Sequence, residues 1–448
     1  MDVEHPGETD EIIFNDLIPL PFRILLLLQF GLGLWFLLNV ILYNFTSINV
    51  LQLLNLSYNS HNYIQLDDLN HNNNPTEVNG EFETGLPAEK QENSRLIQGI
   101  WRNFKKVTII NLSSWILFKF LQYYKPDYKI IYYSIPIISF MYNFLILFYK
   151  SNVFGPSNKN PSLIINVGQI RMWTTLKRIL IGNINYQTMR TNDILMSDSL
   201  VSFAKVLNDF GLFVWSYYIN ETNAYNYKLE FFILCFPIMV RMKQCFYEYK
   251  CTLNKQHLLN MLKYFTGIGP LSINALIKYT LLKSTDLERE NGELIIKLTK
   301  LNNWWYILML INSTYSFVWD LKMDWHLELF NNFFNLFSST RTSQKFTVLR
   351  QQKQYPDFIY IIAISIDFLL RYLWVLKIFI INEELKSKKI HFLHIFSTFL
   401  FGYDVYSFGY VLIEILEIFR RCVWCFIKLD SDFVKVNSNV IEMDSFEK

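Results

Sequence analysis

The chain has 448 residues, of which 51% are hydrophobic, 17% aromatic and only 18% charged, with 39 Phe against 15 Gly. A soluble domain carries about 25% charged residues, and the excess here is Phe, Leu, Ile and Tyr gathered in long runs, so lipid is the solvent for much of the chain. This excludes a coiled coil, a disordered protein and a secreted disulfide scaffold, the last because five cysteines (Cys235, Cys245, Cys251, Cys422, Cys425) are too few to staple it. A net charge of +3 and the lack of a basic-aromatic RNA-reading motif argue against nucleic acid as a partner.

A bilayer core of about 30 Å needs about 20 apolar residues per helix. Runs of that size predict nine spans, beginning with Leu20 to Tyr43, Val107 to Tyr123, Ile130 to Tyr149, Leu200 to Ile219 and Leu229 to Phe246. Leu258 to Leu282, Trp304 to Trp319, Phe358 to Ile381 and His394 to Phe426 complete the set. The last run is long enough for a tilted or broken helix, or for two helices around Gly402 and Gly409, so eight or ten spans are the alternatives. The expected fold class is all-α, a polytopic transmembrane helical bundle, because alternating barrel strands are absent and helices satisfy their own backbone groups in lipid.

The first run lacks a basic leader and a small-residue cleavage site and is read as a retained anchor. Residues 1 to 19 carry Asp2, Glu4, Glu8, Asp10, Glu11 and Asp16 without Lys or Arg, whereas Arg102, Lys105 and Lys106 precede the second run. The positive-inside rule then predicts a lumenal N-terminus, and an odd number of spans predicts a cytosolic C-terminus, with Lys386, Lys388 and Lys389 against the trend. Residues 47 to 95, with Asn72, Asn73 and Asn74, read as a flexible, dispensable insertion. Among the glycosylation sequons only Asn220 falls in a lumenal loop; Asn44 and Asn55 fall in the cytosol, and Asn111 and Asn312 within spans.

Charges within spans cost about 2.5–3.5 kcal/mol each even on a lenient scale, so they persist only when paired or facing water. The fourth run carries Asp198, Ser202, Lys205 and Asp209 on one helical face. Further on come Asn260 and Lys263 with Tyr264, Asp320, Asp367 and Arg371 with Trp374, and Glu417, Arg420 and Arg421 with Trp424. Local pairs at i, i+4, such as Asp367 with Arg371 or Glu417 with Arg421, are one reading. The other is a shared aqueous cavity in which Lys263, Arg371, Arg420 and Arg421 suit an oxyanion, through the planar fork of Arg donors, while Asp198 and Asp320 hold the cations in place. A proton-coupled carrier for another solute uses similar groups.

The remaining motifs are weak. Cys422-Val-Trp-Cys425 has no second pair for zinc and reads as structural, or at most as a juxtamembrane acylation site. His391 and His394 lack an accompanying carboxylate motif, and Gly267-Ile-Gly269-Pro270 reads as a helix break or close packing point. No nucleophile elbow, kinase signature or dinucleotide fingerprint is present, so an enzyme is not expected and no cofactor or metal is implied.

Five pieces taken together resemble the EXS family, the membrane domain of eukaryotic phosphate exporters and of a short Golgi type. They are Asp193 to Ser202 (DILMSDSLVS), Arg241 to Tyr249 (RMKQCFYEY), His257 to Tyr264 (HLLNMLKY), Asn312 to Trp325 (NSTYSFVWDLKMDW), and the pair Asp367 to Trp374 (DFLLRYLW) with Leu416 to Trp424 (LEIFRRCVW). The resemblance implies a phosphate path through Asp198, Lys263, Tyr264, Asp320, Arg371, Trp374, Glu417, Arg420 and Arg421. Ser199 and Val201 stand where the family's exporters have Gln and Asn, which puts exporter-like affinity or gating in question. The implied organisation is a lumenal tail 1–19, an N-terminal membrane region 20–160, an EXS domain 161–428 and a cytosolic tail 429–448. Only 19 residues precede the first span, leaving no room for the inositol-polyphosphate-sensing SPX domain of the large exporters.

The short type implies a multi-pass Golgi membrane protein, with the ER or another endomembrane as the alternative location. It would return inorganic phosphate released by glycosylation from lumen to cytosol, supporting glycosylation and the retention of lumenal ER proteins. The alternative function is a sorting scaffold whose tail binds a cytosolic adaptor that recycles Golgi glycosyltransferases. Implied partners are inorganic phosphate and membrane lipids; the adaptor and a homodimeric state stay open.

Overall fold

The computed structural model describes residues 14–46, 48–54, 88–125, 128–148, 172–185, 188–216, 225–284, 292–328, 349–350, 353–381, 391–401 and 407–446. Among these residues the chain is helical throughout, without strands. The longer helices are α1 (Leu20–Phe45), α2 (Ala88–Tyr124), α3 (Lys129–Phe148), α4 (Arg190–Ser202), α5 (Ala204–Val214), α6 (Tyr227–Thr252) and α7 (Lys255–Lys283). They continue with α8 (Glu293–Trp319), α9 (Asp357–Arg371), α10 (His391–Phe401) and α11 (Phe408–Phe446). Three segments are long and apolar enough to cross a membrane by composition alone: Leu20–Phe45, Ile130–Phe148 and Asp357–Lys377. The others carry charges that lower their hydropathy, several of them buried.

Large apolar side chains face outward while several charges are buried among apolar clusters, as lipid solvation requires. Ile109, Leu112, Ile116, Phe120, Ile130, Ile138 and Met141 of α2 and α3 lie exposed, while Arg23, Asp209, Arg241, Asp320, Asp367 and Arg420 are buried. Buried amides tie the N-terminal helices: Asn111 Nδ2 donates to Gln29 Oε1 at 3.1 Å, and Asn143 Nδ2 donates to Asn111 Oδ1 at 2.7 Å. Such contacts hold helices in register where lipid supplies no hydrophobic drive.

Local chemistry sets the helix ends. Asn226 and Asn254 cap α6 and α7 by accepting from the backbone N–H of Lys228 and Gln256, each at 3.0 Å. Leu253 adopts a left-handed φ of 54° between them, turning the chain directly from α6 into the adjacent α7. Helix α7 runs unbroken through Gly267, Gly269 and Pro270. Of the two readings of that motif, close packing is the one observed, since a Cβ on Gly269 would lie 3.3 Å from Leu308 of α8.

Two predicted spans are corrected, and the ninth run takes its two-helix alternative. The fourth starts at Arg190 rather than Leu200 and breaks at Phe203, whose φ of −88° and ψ of 7° separate α4 from α5. The Phe203 ring packs where a Cβ on Gly31 would lie, 2.7 Å away. The eighth is α-helical only to Arg371 and continues as a 3₁₀ turn, Leu373–Lys377, and a short helix, Ile378–Ile381. The ninth is two helices, α10 and α11, packed so closely that a Cβ on Gly409 would lie 1.9 Å from the Phe399 carbonyl oxygen. Helix α11 continues to Phe446, with Leu429, Asp430 and Ser431 buried, so residues after 428 begin as core rather than as a free tail. Asn55, Asn220, Gly402, Lys386, Lys388 and Lys389, and most of the 47–95 insertion, lie outside the described residues.

Candidate functional site

Helices α4, α6, α7, α9 and α11 and the end of α8 converge on one buried network of charges. Its first part is centred on Asp198 of α4. The Tyr264 hydroxyl of α7 donates to Asp198 Oδ1 at 2.6 Å, and Arg241 Nε of α6 lies 2.7 Å from the same oxygen. Arg241 also donates to the Tyr264 hydroxyl at 3.0 Å, to Ser197 Oγ at 3.0 Å and to Gln244 Oε1 at 2.6 Å. The Lys263 ammonium stands 4.7 Å from the centre of the Tyr264 ring, 5.5 Å from that of Trp319 and 3.9 Å from Asp324.

The second part joins α8, α9 and α11. Arg371 donates Nε to both oxygens of Asp367, at 3.1 and 3.0 Å, and Nη2 to Asp320. Arg420 donates to Asp367 Oδ1 at 3.0 Å and grips Glu417 in bidentate fashion at 2.7 and 3.0 Å. A π-helical turn, Asp320–Asp324, ends α8 and presents Asp320 to Arg371 and Asp324 to Lys263. The 3₁₀ turn after α9 places Trp374, whose indole N–H donates at 3.0 Å to Ser313 Oγ, which in turn donates to the Arg371 carbonyl at 3.1 Å.

Ser202, the last residue of α4 before the break, links the two parts. Its Oγ accepts from Arg421 Nε at 2.9 Å and donates to Glu417 Oε1 at 2.9 Å, while Arg421 Nη1 lies 3.8 Å from Asp198. Glu417 is therefore held by Arg420 and Ser202; the anticipated i, i+4 pairing of Glu417 with Arg421 is replaced by these contacts, whereas Asp367 with Arg371 forms as anticipated. Of the stripe on the fourth run, Asp198 and Ser202 belong to this network, while Asp209 lies beyond the break and pairs with Arg23 of α1.

All nine positions singled out in the sequence thus meet in one place or on its margin. Five cations (Arg241, Lys263, Arg371, Arg420, Arg421) oppose five carboxylates (Asp198, Asp320, Asp324, Asp367, Glu417). Such a balanced set lets an incoming oxyanion exchange with carboxylates already bound to arginines, rather than meet bare positive charge. Glu417 is the most exposed member of the network, its side chain 34% exposed, where every other member is 16% exposed or less.

Sequence reasoning passed over Arg241, Asp324 and the bridging role of Ser202. Arg241 falls inside the predicted fifth span, Leu229 to Phe246, and its side chain is 1% exposed. The available signal was its place inside the apolar run Phe236 to Met242, where a flanking charge is out of position. Cys422 and Cys425 pack in or against the apolar core beside Trp424, consistent with the structural reading. The side chains of His391 and His394 lie outside the described set.

The profile of the EXS family matches residues 18–434, a range containing α1 and the whole network. Protein ERD1 of Saccharomyces cerevisiae is 30% identical over 265 residues, covering 59% of this chain and 61% of its own length. Protein ERD1 homolog 1 of Schizosaccharomyces pombe is 27% identical over 255 residues, 54% of this chain and 57% of its own. Human solute carrier family 53 member 1 is 28% identical over 212 residues, 47% of this chain and 25% of its own. The chain spans about three fifths of the yeast proteins' length and a quarter of the human one's. With the profile running through nearly every described helix, the chain belongs to the EXS family.

Proposed function

We propose that this protein carries inorganic phosphate across an endomembrane, through the network joining Asp198, Arg241, Lys263, Tyr264, Asp320, Arg371, Trp374, Glu417, Arg420 and Arg421. The observation that carries the reading is the convergence of five cations from several helices onto one buried site. Arginine forks match the tetrahedral oxygens of phosphate in bidentate fashion, and the carboxylates they already hold keep binding weak enough for release. The human relative's name, a solute carrier, is in keeping with transport.

The finer reading is a Golgi membrane in which phosphate freed by glycosylation returns from lumen to cytosol. It draws support from the similarity to the yeast ERD1 proteins and from the positive-inside pattern. We place the N-terminus in the lumen and the C-terminus in the cytosol. The nine crossings are α1, α2, α3, α4 with α5, α6, α7, α8, α9 with its following turn, and α11. Helix α10, of 11 residues, rises only about 16 Å and does not cross.

The test is radiolabelled phosphate flux in proteoliposomes of the purified protein, with sulfate as competitor and charge-retaining variants of the network arginines. Phosphate-selective flux that falls in those variants supports the carrier. Folded, inserted protein without flux refutes it and favours the adaptor-binding scaffold.

A further inference from the structure

A second buried charge cluster lies one helical turn from the network, where α1, α5 and the start of α11 pack through Leu20, Ile24, Leu27, Val206, Phe213, Val411 and Ile418. Arg23 Nη2 of α1 contacts Asp209 Oδ2 of α5 at 2.5 Å. The Tyr410 hydroxyl of α11 also hydrogen-bonds Asp209. Glu414 of α11, 2% exposed, approaches Asp209 at hydrogen-bonding range. Yet both Glu414 oxygens and Asp209 Oδ1 lack any donor. Three buried oxygens of two neighbouring carboxylates without a hydrogen among them are untenable as they stand: each lone pair has lost water and gained nothing.

Three ligands could supply what is missing. A metal cation needs a shell of several oxygens and would sit beside Arg23 and the Lys205 ammonium, which lies over the Tyr410 ring at 5.6 Å. A second anion is repelled by the carboxylates. A proton needs no shell, turns one carboxyl into the donor the other requires, and is the known resolution when two carboxyls share a site.

We propose that Glu414 and Asp209 form a proton-binding site that holds one shared proton and links proton occupancy to passage of the anion through the neighbouring network. The proton sits on one carboxyl oxygen and is donated in a hydrogen bond to the other; when it leaves, it goes to water and both groups are carboxylates. The charged and titratable groups facing the pair are Arg23 of α1, Lys205 of α5, Tyr410 of α11, Tyr225 ahead of α6, and Glu230 of α6. Lys205 supplies a countercharge when the proton is absent, which makes the change reversible. The link is mechanical. Glu414 precedes Glu417 by one turn on α11, and Asp209 is on the helix that begins immediately after Ser202, so separation of α5 from α11 acts on the Ser202–Glu417 contact.

The linkage half of this proposal rests on the carrier reading; the proton half does not, and the experiment separates them. Infrared spectroscopy of the purified full-length protein reads the C=O stretch of a protonated carboxylic acid directly. The expected result is a band at neutral pH that shifts in D₂O, disappears at alkaline pH and is lost in Glu414→Gln. Absence of the band in the native protein, or its persistence in Glu414→Gln, overturns the site whatever the flux. If that variant does not fold, Tyr410→Phe, which removes the phenol bound to Asp209, must shift the band, and an unmoved band overturns the assignment. Phosphate flux is then compared between Glu414→Gln and native protein at each pH, so that titration of phosphate itself cancels. A pH-dependent ratio establishes the link; a constant ratio with the band lost overturns the link and leaves the proton site. Sodium-dependent flux without the acid band overturns the proton in favour of a cation.

Discussion

Arg371 holds Asp367 through Nε and Asp320 through Nη2 at once. Arg371→Ala leaves both carboxylates short of a cation. Asp367 keeps Arg420 at 3.0 Å, but the ion pair between Asp320 and α9 is gone. Breaking a buried pair in this way costs about 3–5 kcal/mol, a large share of the 5–15 kcal/mol that holds a typical fold, so the alanine variant loses stability as well as flux. Arg371→Lys separates the effects. The charge remains, but a single ammonium cannot reach both carboxylates, and the loss is about one charge-assisted hydrogen bond, roughly 1.5–3 kcal/mol. At 1.4 kcal/mol per decade, a comparable loss in anion binding lowers flux by about 10- to 100-fold. The double variant Arg371→Ala with Asp320→Asn removes the orphaned charge, so stability should recover while flux does not. Thermal unfolding monitored by size exclusion gives the first quantity and radiolabelled phosphate flux in proteoliposomes the second. Native flux from Arg371→Lys, or recovery of flux along with stability in the double variant, would refute the reasoning.

Four further outcomes follow from the same geometry. Tyr264→Phe removes the donor to Asp198 and the acceptor from Arg241 without changing volume, and should lower stability by about 1–3 kcal/mol in thermal unfolding and reduce flux. Gly409→Ala drives a methyl into the Phe399 carbonyl and should yield little folded protein by size exclusion, whereas Gly99→Ala, with open space around it, should be neutral. Truncation after Ile427 removes Asp430, the partner of Arg350 and Tyr360, and should abolish folding, whereas truncation after Val436 should spare folding and flux and is the fair test of an adaptor-binding tail. His326, beyond the end of α8 and 3.1 Å from Ser431, has its imidazole pushed down to about 4 by burial and then by Lys435 and Lys428. A base whose folded value lies below its unfolded value contributes full stability above about pH 6.5 and loses it as the pH falls toward 4. His326→Gln should flatten that part of the profile, measured as melting temperature against pH.

The apolar runs were enough to specify an all-helical membrane protein, because lipid admits few other ways to satisfy a backbone and the runs have the length of a bilayer. The charges inside those runs marked the site for a related reason: a charge in lipid is so costly that each one must have a partner or water. Which partner is a different matter. Arg371 could be seen to reach Asp367 four residues away, but not Asp320 fifty-one residues away, and Glu417 chose Arg420 and Ser202 over Arg421. Arg241 lies within the predicted fifth span, but its partners Asp198 and Tyr264 are on other helices, 43 and 23 residues away in the chain. The breaks at Phe203 and after Arg371 carry no proline, so local propensity did not announce them, whereas Gly402 and Gly409 marked the one before Phe408. At two of them neighbouring helices approach closely, Gly31 against Phe203 and Gly409 against Phe399. Sequence by itself determined the solvent, the fold class and the cast of charged residues, since these depend on transfer energies that each residue carries with it. Pairing, register and helix breaks were decided by tertiary structure, since they depend on which residues distant in the chain come within 3 Å of each other.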